Sequence, residues 1–130
     1  MADHSHLRME FRYLVCAPSL NAHGTLHGGV LMRWIDEACG MHSRKLANRV
    51  CVTRYMDKID FESCARAGDI VRIECVLEEC GSTSLSYRIR AREDICGRVI
   101  ATVGRVVFVA IDNQGNPVKH GITLSDAMSA

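Results

Sequence analysis

This chain has no charge excess of either sign, no long apolar run and no paired-cysteine motif, and each absence removes a class of function. Sixteen lysines and arginines stand against fifteen aspartates and glutamates, a formal net charge of +1. Such a balance offers no field to draw in nucleic acid or an anionic membrane surface. No apolar run approaches the ~20 residues of a membrane-spanning helix. The opening residues, Met1 to Arg8, are too polar for the apolar core of a signal peptide. No nucleic-acid or membrane partner is therefore expected, and the expected location is cytoplasmic. The seven cysteines are odd in number and none forms a CxxC pair, so a disulfide framework is not expected. Cys16, Cys51 and Cys75 lie within apolar runs, where a thiol serves as a small hydrophobe. No internal repeat or linker interrupts the chain. With 130 residues, 48% of them hydrophobic and 24% charged, it reads as one ordinary globular domain over about residues 8–119, followed by a tail, 120–130.

What is present begins with a strand. Between Leu7 and Ala17 apolar and charged residues alternate with a period of two, until Pro18 to Gly24 break the pattern. Helical spacing follows from about Gly28 to Leu46, with Val30, Leu31, Trp34, Ile35, Ala38 and Cys39 on one stripe. Four more strands are predicted: Val50 to Phe61, Ile70 to Cys80, Thr83 to Asp94 and Val99 to Ile111. The middle two form a hairpin about Gly81 and Ser82, pairing Glu74 with Arg88 and Arg72 with Arg90. Gly104 and Arg105 mark a bulge in the last strand. One helix must bury its stripe, and the sheet is the only partner for it. The expected class is α+β, an antiparallel sheet of about five strands wrapped around one long central helix.

The chemistry concentrates at the start of that helix. A polar loop with Asn21, His23, Gly24, Thr25 and His27 runs into Gly28 and Gly29, and Asp36 stands at the edge of the apolar stripe. N–H groups at a helix start lack intrahelical acceptors and sit at the positive end of the helix dipole, where they suit a developing oxyanion. Asp36 is a candidate general base. Eight residues separate it from Gly28, which is about 12 Å along the axis and about 80° around it. The N–H groups and the carboxylate of one helix cannot both reach one carbonyl carbon. Two helices related by a two-fold axis can, so the expected site lies at the interface of a homodimer.

Asn21, Gly24, the His27-Gly28-Gly29 run, Met32 and Asp36, followed by Phe61, Gly68-Asp69, Gly81-Ser82 and the strand ending at Asp112, resemble the hotdog-fold acyl-CoA thioesterases. The resemblance implies hydrolysis of an acyl-CoA to free acid and coenzyme A, with coenzyme A present only as part of the substrate and no separate cofactor. It implies Asp36 as base, or as nucleophile through an anhydride, with Gly28 or Gly29 as oxyanion donors. Asn21 would be a further donor, and His27 would orient Asp36 or the substrate. Thr53 and Asp57 are candidates for holding the attacking water. Arg54, Lys58 and Arg88 would meet the phosphates of coenzyme A, and Gly81, Ser82 and Thr83 its pantetheine arm. Assembly beyond the dimer, to a tetramer or hexamer, is also implied. The family pattern departs here at Cys64, where a proline is usual, and at His27, where an aromatic is usual. No metal is expected, because Gly24 breaks any helical His23–His27 pair. The alternatives are a non-catalytic acyl-CoA binding or sensing module, and an acyl-thioester dehydratase or hydratase.

Overall fold

The structure, a computed structural model, describes residues 7–124. Its elements are β1 (Arg8–Leu14), α1 (Gly28–Ala47), β2 (Cys51–Phe61), β3 (Ile70–Cys80), β4 (Ser84–Glu93) and β5 (Val99–Ala110). Each predicted element is present, with ends moved by a few residues at most. The five strands form one antiparallel sheet in the order β1-β3-β4-β5-β2. α1 touches every strand. The chain crosses from one edge of the sheet to the other through that helix, which leaves β1 and β2 as the two edges.

The core is the helix stripe set against one face of the sheet. Leu31, Trp34, Ile35, Ala38 and Cys39 pack with alternate residues of the strands, among them Ile73, Cys75, Tyr87, Ile89 and Val103. Tyr13 of β1 stacks on Trp34, ring centroids 4.8 Å apart and nearly parallel. The helix stops at Asn48, which takes the left-handed conformation (φ 51°) while its N–H returns to the Arg44 carbonyl.

The hairpin register differs from the sequence expectation by one step of the pleat. Glu74 lies opposite Arg90, Arg72 opposite Arg92, and Val76 opposite Arg88. The turn occupies residues 81–83 rather than centring on Gly81, and a bulge between Leu77 and Glu79 absorbs the remaining residue. A two-residue slip preserves faces, so the charged residues still share the outer side. There Glu74 is almost fully buried beneath Arg8, Arg72 and Arg92, with N–O distances of 3.1, 3.4 and 3.0 Å. The β4–β5 register slips where Gly104 and Arg105 oppose Arg88, which is the expected bulge.

The described part of the expected tail is held down. Val118 N–H bonds to the Ala110 carbonyl, His120 N–H to that of Ser82, and Leu124 packs on the core. These contacts extend the ordered domain past residue 119; residues 125–130 lie outside the described residues.

Candidate active site

The loop entering α1 is fixed by its own polar groups. Asn21 Oδ1 accepts from the N–H groups of His23 and Thr25 at 2.9 and 3.1 Å, and Asn21 Nδ2 donates to Thr25 Oγ1 at 2.9 Å. An asparagine bonding forward to the backbone in this way closes a local turn. Two backbone bonds pin the last residues before the helix, Leu26 N–H to the Ala65 carbonyl and His27 N–H to that of Ser19, both 2.8 Å. Asn21 thus shapes the loop first, with one amide N–H left over for a ligand.

His27 is the helix cap. Its Nδ1 accepts from Gly29 N–H at 2.9 Å, the job a capping oxygen usually does. Two expectations change. The imidazole serves the helix start rather than orienting Asp36, and Gly29 N–H is occupied by that ring. Gly29 is needed for a different reason: a Cβ there would stand 3.0 Å from His27 Cε1 and 3.1 Å from Nδ1, pushing the cap aside. Gly28 N–H, the first of the helix, has no acceptor among the described residues. The ring of Phe61, from the end of β2, lies beside it, 3.6 Å from where a Gly28 Cβ would be. Phe61 was legible only as part of a family pattern, because nothing local to β2 says where its last ring falls.

Asp36 is half-buried, at the edge of the packed stripe as its spacing suggests. The hydroxyl of Thr53, on β2, donates to Asp36 Oδ1. Of the two candidates on that strand, Thr53 reaches the carboxylate, while Asp57 is exposed. No space opens beside Gly40, because the Phe108 ring sits 3.4 Å from a Cβ position there. Open space near the carboxylate lies instead on the solvent side of α1 and β2, where Met32, Met41, Val52, Tyr55 and Phe61 are exposed.

The basic residues fall into separate places. Lys58 and Arg88, with Arg90 and Asp60, line a hollow of about 380 Å³ on the outer sheet face, opened by the Gly104 bulge. Lys58 there has a positive φ of 57°, and Gly104 opposite it admits the lysine Cβ to 3.4 Å of its own Cβ position. Arg54 is the extra residue where the β2–β5 register slips between Thr53 and Tyr55, and it is not part of that hollow. Gly81 and Ser82 line a second hollow with residues 119–124. The turn's edge is partly used: Gly81 N–H bonds to the Ser84 carbonyl, Ala110 N–H to the Thr83 carbonyl, and His120 N–H to the Ser82 carbonyl. These bonds leave the N–H groups of Ser82 and Thr83 without a backbone acceptor among the described residues. Among the described residues no three His, Cys, Asp or Glu side chains are placed to hold a metal, and no helix is long and apolar enough to cross a membrane.

A loop-capped helix against a five-stranded antiparallel sheet, with a tethered aspartate along it, is the hotdog architecture of the thioesterases. Residues 23–100 match the family model of the thioesterase superfamily, and the chain belongs to that superfamily. It is 32% identical over 101 residues to the uncharacterized acyl-CoA thioester hydrolase YkhA of Bacillus subtilis, covering 75% of this chain. The chain spans 59% of the length of that relative. The acyl-CoA hydrolase of Staphylococcus aureus, solved with butyryl coenzyme A, coenzyme A and coenzyme A disulfide, has a TM-score of 0.76 at 28% identity, over 88% of this chain and 69% of that one. A hexameric acyl-CoA thioesterase has a TM-score of 0.77 at 30% identity, over 88% and 75% of the two chains. Structures of the S. aureus enzyme also exist with alanine replacing one threonine, one aspartate or one asparagine. Those three positions have the same separations along the chain as Thr53, Asp36 and Asn21 have here.

Proposed function

We propose that this chain hydrolyses an acyl-CoA thioester to the free acid and coenzyme A, as a homodimer whose two sites lie between subunits. The observation that carries the reading is the Asp36–Thr53 pair: a half-buried carboxylate, held by a hydroxyl from another element, facing an uncovered apolar surface. Asp36 takes a proton from water as the water attacks the thioester carbonyl. The oxygen becomes an oxyanion, stabilised by the partner subunit's Gly28 N–H at the positive end of its helix. Collapse breaks the C–S bond, and the proton held by Asp36 leaves with the thiol of coenzyme A. Thr53 keeps the carboxylate in one rotamer and satisfies one oxygen, leaving the other to face the water. The route through an acyl-Asp36 anhydride uses the same groups, and oxygen-18 incorporation into Asp36 from labelled water in a single turnover distinguishes it.

Helix geometry supports the dimer. Gly28 and Asp36 of one helix are about 12 Å apart along its axis, so a site that needs both draws them from different chains. β2 is an edge strand, and its exposed apolar residues adjoin those of α1. Pairing two β2 edges about a two-fold axis covers these residues and sets the two helices side by side. Hexamers, such as the related thioesterase forms, are assemblies of three such pairs in this reading. Lys58 and Arg88 supply the cations for coenzyme A phosphates. All seven cysteines are free, which supports a reducing, cytoplasmic setting.

A dehydratase would need an imidazole working with the carboxylate, and the imidazole of His27 is bonded to Gly29 N–H instead. A pure binding module has no use for a tethered base. Release of free thiol from a panel of acyl-CoA esters tests the reading: turnover on at least one ester supports it, and binding without turnover on any ester refutes it.

A further inference from the structure

Beneath α1, one turn along the helix from Asp36, lies a buried group of reactive side chains that the hydrolysis does not use. Cys39 of α1 and Cys75 of β3 are both fully buried, with Sγ atoms 3.7 Å apart. His42, one turn after Cys39 and also fully buried, has Nδ1 3.3 Å from Cys75 Sγ. Tyr87 of β4 closes the other side, its ring centroid 5.0 Å from that of His42 and its hydroxyl 2.8 Å from Ser43 Oγ. Apolar packing needs none of these polar atoms, and Cys75 is flanked along the inner face of β3 by Ile73 and Leu77.

We propose that Cys39 and Cys75 are a reversible redox pair that forms a disulfide between α1 and β3. The sulfurs are already in contact, so closing to the S–S length of about 2.05 Å takes a movement of under about 2 Å shared between two side chains. The two thiols are unequal. Burial pushes the Cys39 thiol well up. At Cys75 burial acts in the same direction, but hydrogen bonds from Cys39 and His42 outweigh it and bring the thiol below its ordinary value. Cys75 is therefore the attacking sulfur. The oxidant is a small hydroperoxide. Cys75 thiolate attacks the O–O bond, expelling alcohol or water and becoming a sulfenic acid. Cys39 then displaces hydroxide from that sulfur, forming the S–S bond and releasing water. Two thiols lose two electrons to the peroxide, and a dithiol returns them.

The test uses the full native chain. Its exposed thiols, Cys16, Cys64 and Cys96, are first blocked with a maleimide, and hydrogen peroxide is then added without denaturant. Digestion under non-reducing conditions is expected to yield one linked peptide joining Cys39 to Cys75, lost on treatment with dithiothreitol. The chain should be lighter by two hydrogens and keep its native circular dichroism. The Cys39→Ala variant, which fills a helical position with a good helix former, should instead trap Cys75 as a sulfenic acid, read as the mass of one added oxygen on its peptide and removed by dithiothreitol. Three results overturn the proposal: both thiols still reduced after the exposed cysteines of an unblocked control are fully oxidised; linkage of either cysteine to Cys51 or Cys80; or a Cys39–Cys75 link that appears only in denaturant.

Discussion

Along β1, one edge of the sheet, the outward side chains are Arg8, Glu10 and Arg12, with Leu14 at its end, and along β2, the other edge, they include Val52, Tyr55 and Phe61. The β1 charges answer one another: Arg8 and Arg12 both reach Glu10, at 2.8 and 3.0 Å, and they extend to Glu74 on β3 and to Asp94 in the turn after β4. An edge fenced by paired charges resists the addition of another strand, because the newcomer would desolvate them. On β2 the charges Arg54, Asp57, Lys58 and Asp60 are exposed too, but none of them is in an ion pair among the described residues. The apolar residues of β2 continue onto Met32 and Met41 of α1, and the tethered carboxylate stands at that boundary. The contrast teaches that the catalytic proposal and the dimer proposal rest on one surface: the edge without paired charges is the edge beside Asp36.

The severest way to break this comparison is to remove the carboxylate. Asp36→Asn should lower kcat for thiol release by about 10²–10⁴-fold, the usual worth of a positioned base, while the melting temperature and the dimer survive. Making β2 resemble β1 comes next. Tyr55→Glu should turn dimers into monomers at micromolar concentration by light scattering, with hydrolysis falling in parallel, because buried like charges would meet across the two-fold axis. The reciprocal change on β1, Arg12→Val, should leave both the mass and the rate unaltered. Thr53→Ala removes only the tether and should cost about tenfold in kcat, with little change in KM. Thr53→Ser should recover most of it.

The smallest effect concerns the β1 fence in acid. Arg8 and Arg12 hold Glu10 below its ordinary value of 4.5. Asp94 is below its own value of 3.8, because hydrogen bonds from Arg12 and Arg72 outweigh its partial desolvation. Folded values below the unfolded ones mean stability that is present above the unfolded pKa and lost as the pH falls through the folded one. The wild-type melting temperature should therefore decline below about pH 4.5, and Glu10→Gln should decline less over the same range. The difference should be small, because exposed pairs of this kind contribute about 0–1 kcal/mol each.

Most of the element plan was legible in the chain. Periodicity of two and of 3.6 is a local property, and the turns at Pro18 to Gly24 and Gly97 are announced by their own residues. Asp36 could be placed at the edge of the buried stripe by counting turns, and Gly104 could be marked as a bulge because a glycine in an apolar run has few other uses. The errors are of another kind. The hairpin register depended on a bulge at Glu78 that alternation does not reveal. Gly29 N–H was expected to be open, yet a side chain two residues earlier folds back on it. The contact of His120 with the Ser82 carbonyl was not legible, because the two lie 38 residues apart in sequence.

By itself, then, the sequence determined the number, kind and order of the elements, the face each buries and the carboxylate that stands out on α1, since all of these follow from side-chain spacing along one segment. Only the tertiary structure decided which edge strand lacks paired charges, that Thr53 rather than Asp57 reaches Asp36, that Gly28 rather than Gly29 keeps its N–H, and that Cys39 meets Cys75. Apart from the Gly29 cap, which comes from a side chain two residues away, each of those outcomes depends on segments remote in sequence being brought into contact. The closing of the sheet around the helix does that, and no local pattern records it.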